Sequence, residues 1–168
     1  RAHCGGEAGE WDDLGVYYDA ARPSRLESLL QGGGWETPEL LARARAAMER
    51  IVALGLGKTN ASPPLAPDAL GARTRRRVLV LDQTFGDASI AGGLADQTSF
   101  DRMLAAAVAD EADAEILVRR HPATAAGLKS GWLPARLPDG VRAFDEDCST
   151  ASLLAQVDAV YTVTSLAG

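Results

Sequence analysis

A continuous apolar run, Val78-Leu79-Val80-Leu81, constrains the fold of this chain more than any other feature of its sequence. A strand with one face in water alternates polar and apolar residues, whereas an unbroken aliphatic run is typical of a strand buried on both faces of a parallel sheet. Such a strand needs partners, and the residues that follow supply them. Further strands are predicted at 114–118, 141–144 and 159–163, with helices between them at 99–110 and 149–155. This alternation indicates a doubly wound α/β unit.

Two helices are predicted before this unit. Ser24 and Glu27 have the spacing of a capping box, which marks a helix start. Thr37 followed by Pro38 is a second start, and its helical pattern continues through Leu54. Each of the two helices carries an apolar face.

The segments around these helices are less regular. A short β-prone run lies at 15–19, and residues 58–74, with three prolines, are interpreted as a linker. Arg75-Arg76-Arg77 is interpreted as a solvated turn. The chain opens with Arg1 rather than Met and closes soon after an apolar run, so we expect a segment of a longer protein.

Charge and cysteine content limit the classes of partner. The chain has 17 Lys and Arg against 23 Asp and Glu, a net charge of −6, which argues against a general nucleic-acid binder. Cys4 and Cys148 lie far apart and outside any metal-ligand spacing, so we expect reduced thiols and no metal site. No stretch reaches the ~18 apolar residues of a membrane span, and a cytoplasmic location is the default expectation.

Polar residues follow three of the predicted strands at their carboxyl ends. Residues 82–90 follow the first strand, Arg119-Arg120-His121-Pro122 the second, and Thr164-Ser165 the fourth. Ligands of open parallel sheets bind beyond these ends. Arg and His bind phosphate, hydroxyl groups suit it as well, and a carboxylate beside an anomeric carbon acts as nucleophile or stabilises an ion pair. This edge therefore suits an anionic, nucleotide-activated substrate.

Each of these residues also has a simpler interpretation. Asp82 can cap the turn after its strand, Asp87 can belong to an ordinary turn, and His121-Pro122 can mark a strand exit. The loop after the first strand has neither G-x-G-x-x-G nor G-x-x-x-x-G-K-[ST], so dinucleotide and Walker-type sites lose their main support.

The same loop resembles the signature of a known family. Residues 82–90 read D-Q-T-x-G-D-x-S-I, as in the capsular polysaccharide biosynthesis/export family, the β-Kdo transferases that build the Kdo linker of group 2 capsules. Other stretches are similar to the family's G-[IV]-Y-[FY]-D-A…P-S-x-L-E, [SG]-K-Y-N, H-P…G-x-K-x-G-[YW]-L and V-Y-T-V-T-S. They lie at 15–27, 57–60, 121–133 and 160–165.

The resemblance implies a fragment of a GT-B-type glycosyltransferase that transfers Kdo from CMP-β-Kdo with retention of configuration. CMP-Kdo is then a substrate, and no cofactor is expected. Residues 1–74 would form the end of an acceptor-side domain with a helical, Pro-rich connection. Residues 75–168 would form an incomplete Rossmann-like donor-binding domain with a parallel sheet. Catalysis in such folds uses a cleft between two domains, so the segment alone is predicted to be inactive.

The family also implies a cellular setting. Its acceptor is a lipid-linked glycan on phosphatidylglycerol at the cytoplasmic face of the inner membrane. A peripheral location at that face is therefore expected, with the capsule assembly and export machinery as partners and no nucleic acid.

Roles for individual residues follow from the resemblance. The H-P motif, His121-Pro122, is associated with holding CMP, and the hydroxyls of Thr164 and Ser165 are expected near its phosphate. Retention suggests a double displacement with a carboxylate nucleophile, and Asp87 is favoured over Asp82 because it lies deeper in the Gly-rich loop. The other motif positions expected to bind the donor are Gln83, Thr84, Gly86, Ser89, Arg119 (where Lys is expected) and Lys129.

Two other functions compete with this one. A different CMP-sugar transferase would share the fold and much of the donor site. A receiver-like signalling module, which is not an enzyme, would use Asp82 as a first-strand acid. It would also need a phospho-acceptor Asp and a Lys after later strands, whereas the strand at 116–118 ends in Arg-Arg-His.

Overall fold

The computed structural model describes residues 12–16, 18–55 and 62–165 of the chain. The predictions for Cys4, Tyr17 and the stretch at 57–60 lie outside the described residues. Six helices are described, α1 to α6, at Arg25–Gly32, Pro38–Ala53, Ala88–Gly92, Gln97–Asp110, Pro122–Ala125 and Thr150–Leu154. Four strands are described, β1 to β4, at Arg77–Leu81, Glu115–Arg119, Val141–Ala143 and Ala159–Tyr161.

The four strands form one parallel sheet in the order β3-β2-β1-β4. The chain runs outward from β1 to β2 and β3 and then returns to place β4 on the other side of β1. The predicted α/β class with a parallel sheet is therefore confirmed. The chain connections reverse direction between β1 and β4, which makes this pair the topological switch point of the sheet. Ligands of such sheets bind in the crevice beyond the carboxyl ends of these two strands.

The apolar run of β1 is buried because the sheet is covered on both faces. Val78 and Val80 pack with Phe100 and other residues of α4, on one face. Leu79 and Leu81 lie in a second cluster, on the other face, with Phe144, Cys148, Leu153 and Leu70. The alternate residues of a strand point to opposite faces, so a strand with two covered faces needs apolar residues at every position.

The two N-terminal helices form as predicted, but their apolar faces are not covered. Ser24 accepts a hydrogen bond from Glu27 N at 3.1 Å in a capping box, and Thr37 accepts one from Leu40 N at 3.2 Å. Neither helix has a buried residue in the described part of the chain. The apolar side chains that remain exposed are Leu26, Leu29, Leu30, Leu40, Leu41, Met48, Ile51 and Val52.

Several local expectations were wrong. The described residues of the β-prone run at 15–19 form a turn rather than a strand, with Asp19 N bonded to Val16 O at 3.0 Å. The segment at 82–93 is not all loop, because it contains α3. His121-Pro122 opens a helix, α5, instead of simply ending a strand. In each case a short hydrogen-bonded turn formed where the sequence offers a cap or a proline but no long periodic pattern.

The Pro-rich segment is anchored to the sheet domain where it is described. Ser149 N donates to Pro63 O at 2.6 Å, and Leu65 N donates to the Ser152 hydroxyl at 2.7 Å. These contacts fix the segment to the start of α6. The division of the chain at residue 74 stays a prediction.

Only the last residue of the triple-arginine stretch departs from the predicted solvated turn, because Arg75 and Arg76 are exposed and Arg75 lies in a bend. Arg77 is the first residue of β1 and only 3% exposed. Its Nε donates to Glu115 at 2.7 Å, and its Nη2 donates to Leu70 O at 3.1 Å and Gly71 O at 2.8 Å. Arg76 pairs with Glu111 at 2.9 Å. Arg77 therefore joins the preceding segment to the amino-terminal ends of β1 and β2.

Replacing Arg77 by Met should lower the free energy of unfolding by about 3 kcal/mol, because two carbonyls lose their buried donor and an ion pair is broken. Arg142→Met is the matched control. Arg142 also pairs with Glu115, at 2.7 Å, but its side chain is 46% exposed. Its loss should cost less than about 1 kcal/mol. Urea unfolding of both variants measures the difference, and equal costs would contradict the buried role of Arg77.

Candidate functional site

The switch point is bridged by polar side chains. The Gln83 amide, after β1, donates to the Thr164 hydroxyl at 2.8 Å and accepts from Thr164 N at 3.0 Å. Ser89 of α3 lies 3.1 Å from the same hydroxyl. Three residues predicted for the donor site therefore meet in one cluster. Ser165, a fourth, follows directly and its N–H donates to the Thr162 hydroxyl at 3.2 Å.

Asp82 directly precedes Gln83 of this cluster and is only 5% exposed. Its Oδ1 accepts hydrogen bonds from Gln83 N at 2.9 Å, Trp132 N at 2.9 Å and Leu133 N at 3.1 Å. Burial raises the pKa of the Asp82 carboxyl, and the three N–H donors and the charge of Arg120 oppose that rise. The Asp82 carboxylate therefore holds the backbone of residues 132 and 133 against residue 83.

The donors to Asp82 belong to a segment, residues 129–133, that we call the strap. Phe85 N donates to Ser130 O at 2.8 Å, and Thr84 forms an antiparallel bridge with Gly131. The Trp132 indole donates to Thr84 O at 3.3 Å. The strap thus lies along residues 82–87, which we call the β1 loop. Lys129, an exposed residue, begins the strap.

Aromatic rings support the same junction. Trp132 stacks on the buried Phe100 of α4, with centroids 5.1 Å apart and an interplanar angle of 3°. Phe85, in the β1 loop, packs on the other side of the junction with its centroid 4.7 Å from Trp132, while remaining 62% exposed. Stacked and tilted rings at these distances attract each other. The β1 loop is therefore held against the domain core.

Asp87 is placed differently from Asp82. It is exposed, and its Oδ1 accepts from Ser89 N at 3.0 Å as the N-cap of α3. Gly86 before it has φ of +83°, a conformation that glycine adopts without strain. This turn brings the Asp87 carboxylate to the surface two residues before Ser89, beside the switch point. Of the two motif acids, Asp87 is the one that a ligand can reach.

The end of β2 carries the predicted cations. His121 is exposed, caps α5 and accepts from Ala123 N at 3.1 Å through Nδ1. Arg120 pairs with Asp145 at 2.9 Å. Arg119 is buried, and its guanidinium donates to Cys148 Sγ at 2.8 Å and to Cys148 O at 2.7 Å. Arg119 thus fixes the segment after β3, and its predicted contact with the donor stays a prediction.

A cleft of about 290 Å³ lies beyond the ends of β2 and β3. Arg119, Arg120 and Pro122 line it together with Asp145, Glu146 and Asp147, so three acidic residues outnumber two basic ones. Carboxylates accept hydrogen bonds from hydroxyl groups but repel phosphate. This cleft therefore suits a neutral, hydroxyl-rich part of a ligand better than its phosphate.

The N-terminal motif stretch also reaches this edge of the sheet. Ala20 N donates to Gly92 O at 2.7 Å, so the turn at 18–20 lies against the end of α3. Sequence reasoning did not place these residues near the site. It also missed Ser130 as a neighbour of Phe85 and Gly131 as a neighbour of Thr84. The only signal for them was their position inside family-like motifs.

Among residues 12–16, 18–55 and 62–165, no group of three or more His, Cys, Asp or Glu is placed to hold a metal ion. No helix in the same ranges is long and apolar enough to cross a membrane.

A doubly wound parallel sheet whose switch point carries an amide, hydroxyls and an accessible carboxylate defines a Rossmann-like ligand-binding domain. The chain belongs to the capsule polysaccharide biosynthesis protein family, whose model matches residues 56–168. The family resemblance of its motifs is thereby confirmed.

Individual relatives agree with this assignment. The chain is 40% identical over 161 residues to the capsule polysaccharide modification protein LipA of Neisseria meningitidis serogroup A, covering 94% of this chain and 23% of LipA. It is 36% identical over 159 residues to the lipopolysaccharide-processing protein LpsZ of Rhizobium meliloti, covering 94% of this chain and 36% of LpsZ. The chain thus spans between about a quarter and a third of the length of these relatives.

A solved structure is similar as well. KpsC of Thermosulfurimonas dismutans, described as a beta Kdo 2,4 transferase, matches with a TM-score of 0.83 and 41% identity. The match covers 93% of this chain and 49% of that one. The similarity therefore extends through the N-terminal helices as well as the sheet domain.

Proposed function

We propose that this chain is the donor-binding part of a retaining glycosyltransferase that transfers Kdo from CMP-β-Kdo to a lipid-linked glycan in capsular polysaccharide biosynthesis. The observation that carries the proposal is the exposed Asp87 carboxylate beside the polar cluster of the switch point. Membership of the capsule family and the similarity to a described Kdo transferase support the choice of sugar.

Asp87 is the proposed nucleophile. In the first displacement its carboxylate oxygen attacks the anomeric carbon of Kdo, and the bond from that carbon to the CMP phosphate oxygen breaks, with CMP leaving with the electron pair. In the second, an acceptor hydroxyl attacks the same carbon, its proton passes to solvent water, and the bond between that carbon and the Asp87 oxygen breaks. Two inversions retain the configuration. Asp82 is a poorer nucleophile because its buried Oδ1 already accepts three hydrogen bonds.

The other residues would hold the donor. Thr164 and Ser89 offer hydroxyls to the phosphate at the switch point, and Gln83 orients Thr164. The Lys129 ammonium and the His121 imidazole, both exposed, are the donors that we propose meet the phosphate; His121 donates through Nε2, because its Nδ1 accepts from Ala123 N. The carboxylate-lined cleft beside Pro122 would take the hydroxyl-bearing nucleoside end of CMP. Thr84, Gly86 and Ser165 would shape the loops around it.

The rest of the proposal concerns the longer protein. Residues 1–74 would connect to an acceptor-side domain, and the complete transferase would work at the cytoplasmic face of the inner membrane beside the export machinery. These statements follow from the family resemblance. They make the isolated chain a donor-binding unit without turnover of its own.

The test uses the complete polypeptide that contains this chain, purified and supplied with CMP-Kdo and a Kdo-terminated glycolipid acceptor. We expect CMP release that depends on the acceptor, and a β-linked product by NMR. CMP-sialic acid serves as the control donor. Turnover with CMP-sialic acid and not with CMP-Kdo would replace this proposal by another CMP-sugar transferase, and turnover with neither would overturn it.

A further inference from the structure

Asp82 is a buried carboxylate that the proposed chemistry does not use, although it adjoins Gln83 at the switch point. Two of the three N–H groups that it accepts, those of Trp132 and Leu133, belong to the strap. The third belongs to Gln83 in the β1 loop. A single carboxylate oxygen thus ties the two segments together.

The second oxygen of Asp82 has an unusual position. Oδ2 is buried without a hydrogen-bond partner in the described part of the chain, and so is the Thr124 hydroxyl of α5. Both side chains border Gly131: a Cβ added there would lie 3.1 Å from Thr124 Cγ2 and still closer to Asp82 Oδ2. The β1 loop, the strap and α5 therefore converge on this one side chain.

The strap also controls where Lys129 sits. Lys129 N donates to Ala123 O of α5 at 3.1 Å, and the next residue, Ser130, accepts from Phe85 N at 2.8 Å. The backbone of Lys129 is thus held between the helix that begins at His121-Pro122 and the loop that ends at Asp87. A shift of the strap would move this cation relative to both.

We propose that Asp82 is a positioning residue that acts through the strap: it sets the distance between the Lys129 ammonium and Asp87 and so the site of the donor phosphate. This inference rests on the proposed function. It assigns to Asp82 a role in donor binding that differs from nucleophilic attack.

Asparagine distinguishes the two roles. The carbonyl oxygen of Asn can accept the same three N–H groups that Oδ1 accepts. A nucleophilic carboxylate has no such substitute. Alanine, in contrast, would leave three N–H groups without their acceptor.

The experiment measures KM for CMP-Kdo and kcat in the complete transferase for the wild type, Asp82→Asn, Asp82→Ala, Lys129→Ala and Asp82→Ala/Lys129→Ala. We expect Asp82→Asn to stay within about threefold of the wild type, and both Asp82→Ala and Lys129→Ala to raise KM about tenfold. The KM of the double variant should exceed that of either single variant by no more than about twofold, because the effects of two coupled residues do not add. If Asp82→Ala melts below the assay temperature, Asp82→Ser takes its place with the same expectation, because the Ser hydroxyl is one bond too short to occupy the position of Oδ1.

The outcomes separate two failures. A wild type without turnover of CMP-Kdo overturns the proposed function. A wild type with turnover, but with Asp82→Asn inactive, makes Asp82 a catalytic residue and overturns this inference. Additive effects of Asp82→Ala and Lys129→Ala would also overturn it, since they would mean that Asp82 does not act through Lys129.

Discussion

Replacing Asp87 by Asn in the complete transferase is expected to lower kcat by about a thousandfold or more, because the amide cannot form the glycosyl–enzyme bond. The structure leaves the fold of the loop little affected by this change, since Asn is as good an N-cap as Asp and can still accept from Ser89 N. Acceptor-dependent CMP release measures the rate. Mass spectrometry of the enzyme quenched during turnover should show a Kdo adduct on the peptide that contains Asp87 in the wild type alone.

Asp96→Asn is the matched control for this variant. Asp96 is also an exposed helix N-cap, at the start of α4, and it accepts from Ser99 N at 3.1 Å. We expect its activity to stay close to that of the wild type. Equal losses in the two variants would trace the effect to helix capping and would remove Asp87 from the chemistry.

A second large effect is expected on stability, from Gly131→Ala. A Cβ at this position would lie 3.0 Å from Asp82 Cγ and closer still to Oδ2. The Asp82 side chain cannot move aside, because its other oxygen is held by three backbone N–H groups. We expect the free energy of unfolding to fall by about 2 kcal/mol and Tm by about 4–8 °C, as for other overpacked sites.

Gly32→Ala is the control for this change. Gly32 ends α1, and a Cβ there would meet nothing within 4 Å. Its effect on the free energy of unfolding should stay within about 0.5 kcal/mol. Urea unfolding followed by circular dichroism gives both values. Equal stabilities of the two variants would show that the strap can shift to accept a side chain.

Local patterns predicted much of this molecule. Ser24 and Thr37 cap their helices as expected, because the side chain of a cap bonds to backbone groups within three residues. The run at 78–81 indicated a strand with two covered faces, which the clusters around Val80 and Leu79 confirm. Such features depend on neighbours in sequence, so a single sequence contains them.

The candidate site was predicted less completely. Its segments were identified from their motifs, and Gln83, Ser89 and Thr164 do meet. The sequence favoured Asp87 over Asp82 but gave no indication that one is exposed and the other buried, since both follow the same strand within six positions. The contact of Arg119 with Cys148 was not predicted, because Cys148 lies on a segment that no local pattern connects to Arg119.

Sequence periodicity and capping were thus sufficient for the element types and the parallel α/β class of this chain, because both arise from interactions over a few residues. The exposure of Asp87, the burial of Asp82 and the path of the strap were decided by the order β3-β2-β1-β4 and by loops that meet across it. Those contacts join residues about fifty positions apart in the sequence. The free energy gained by burying side chains depends on which residues meet in space, so the tertiary fold decides these contacts. The same reason explains why the apolar faces of α1 and α2 could be recognised from their spacing while their exposure could not.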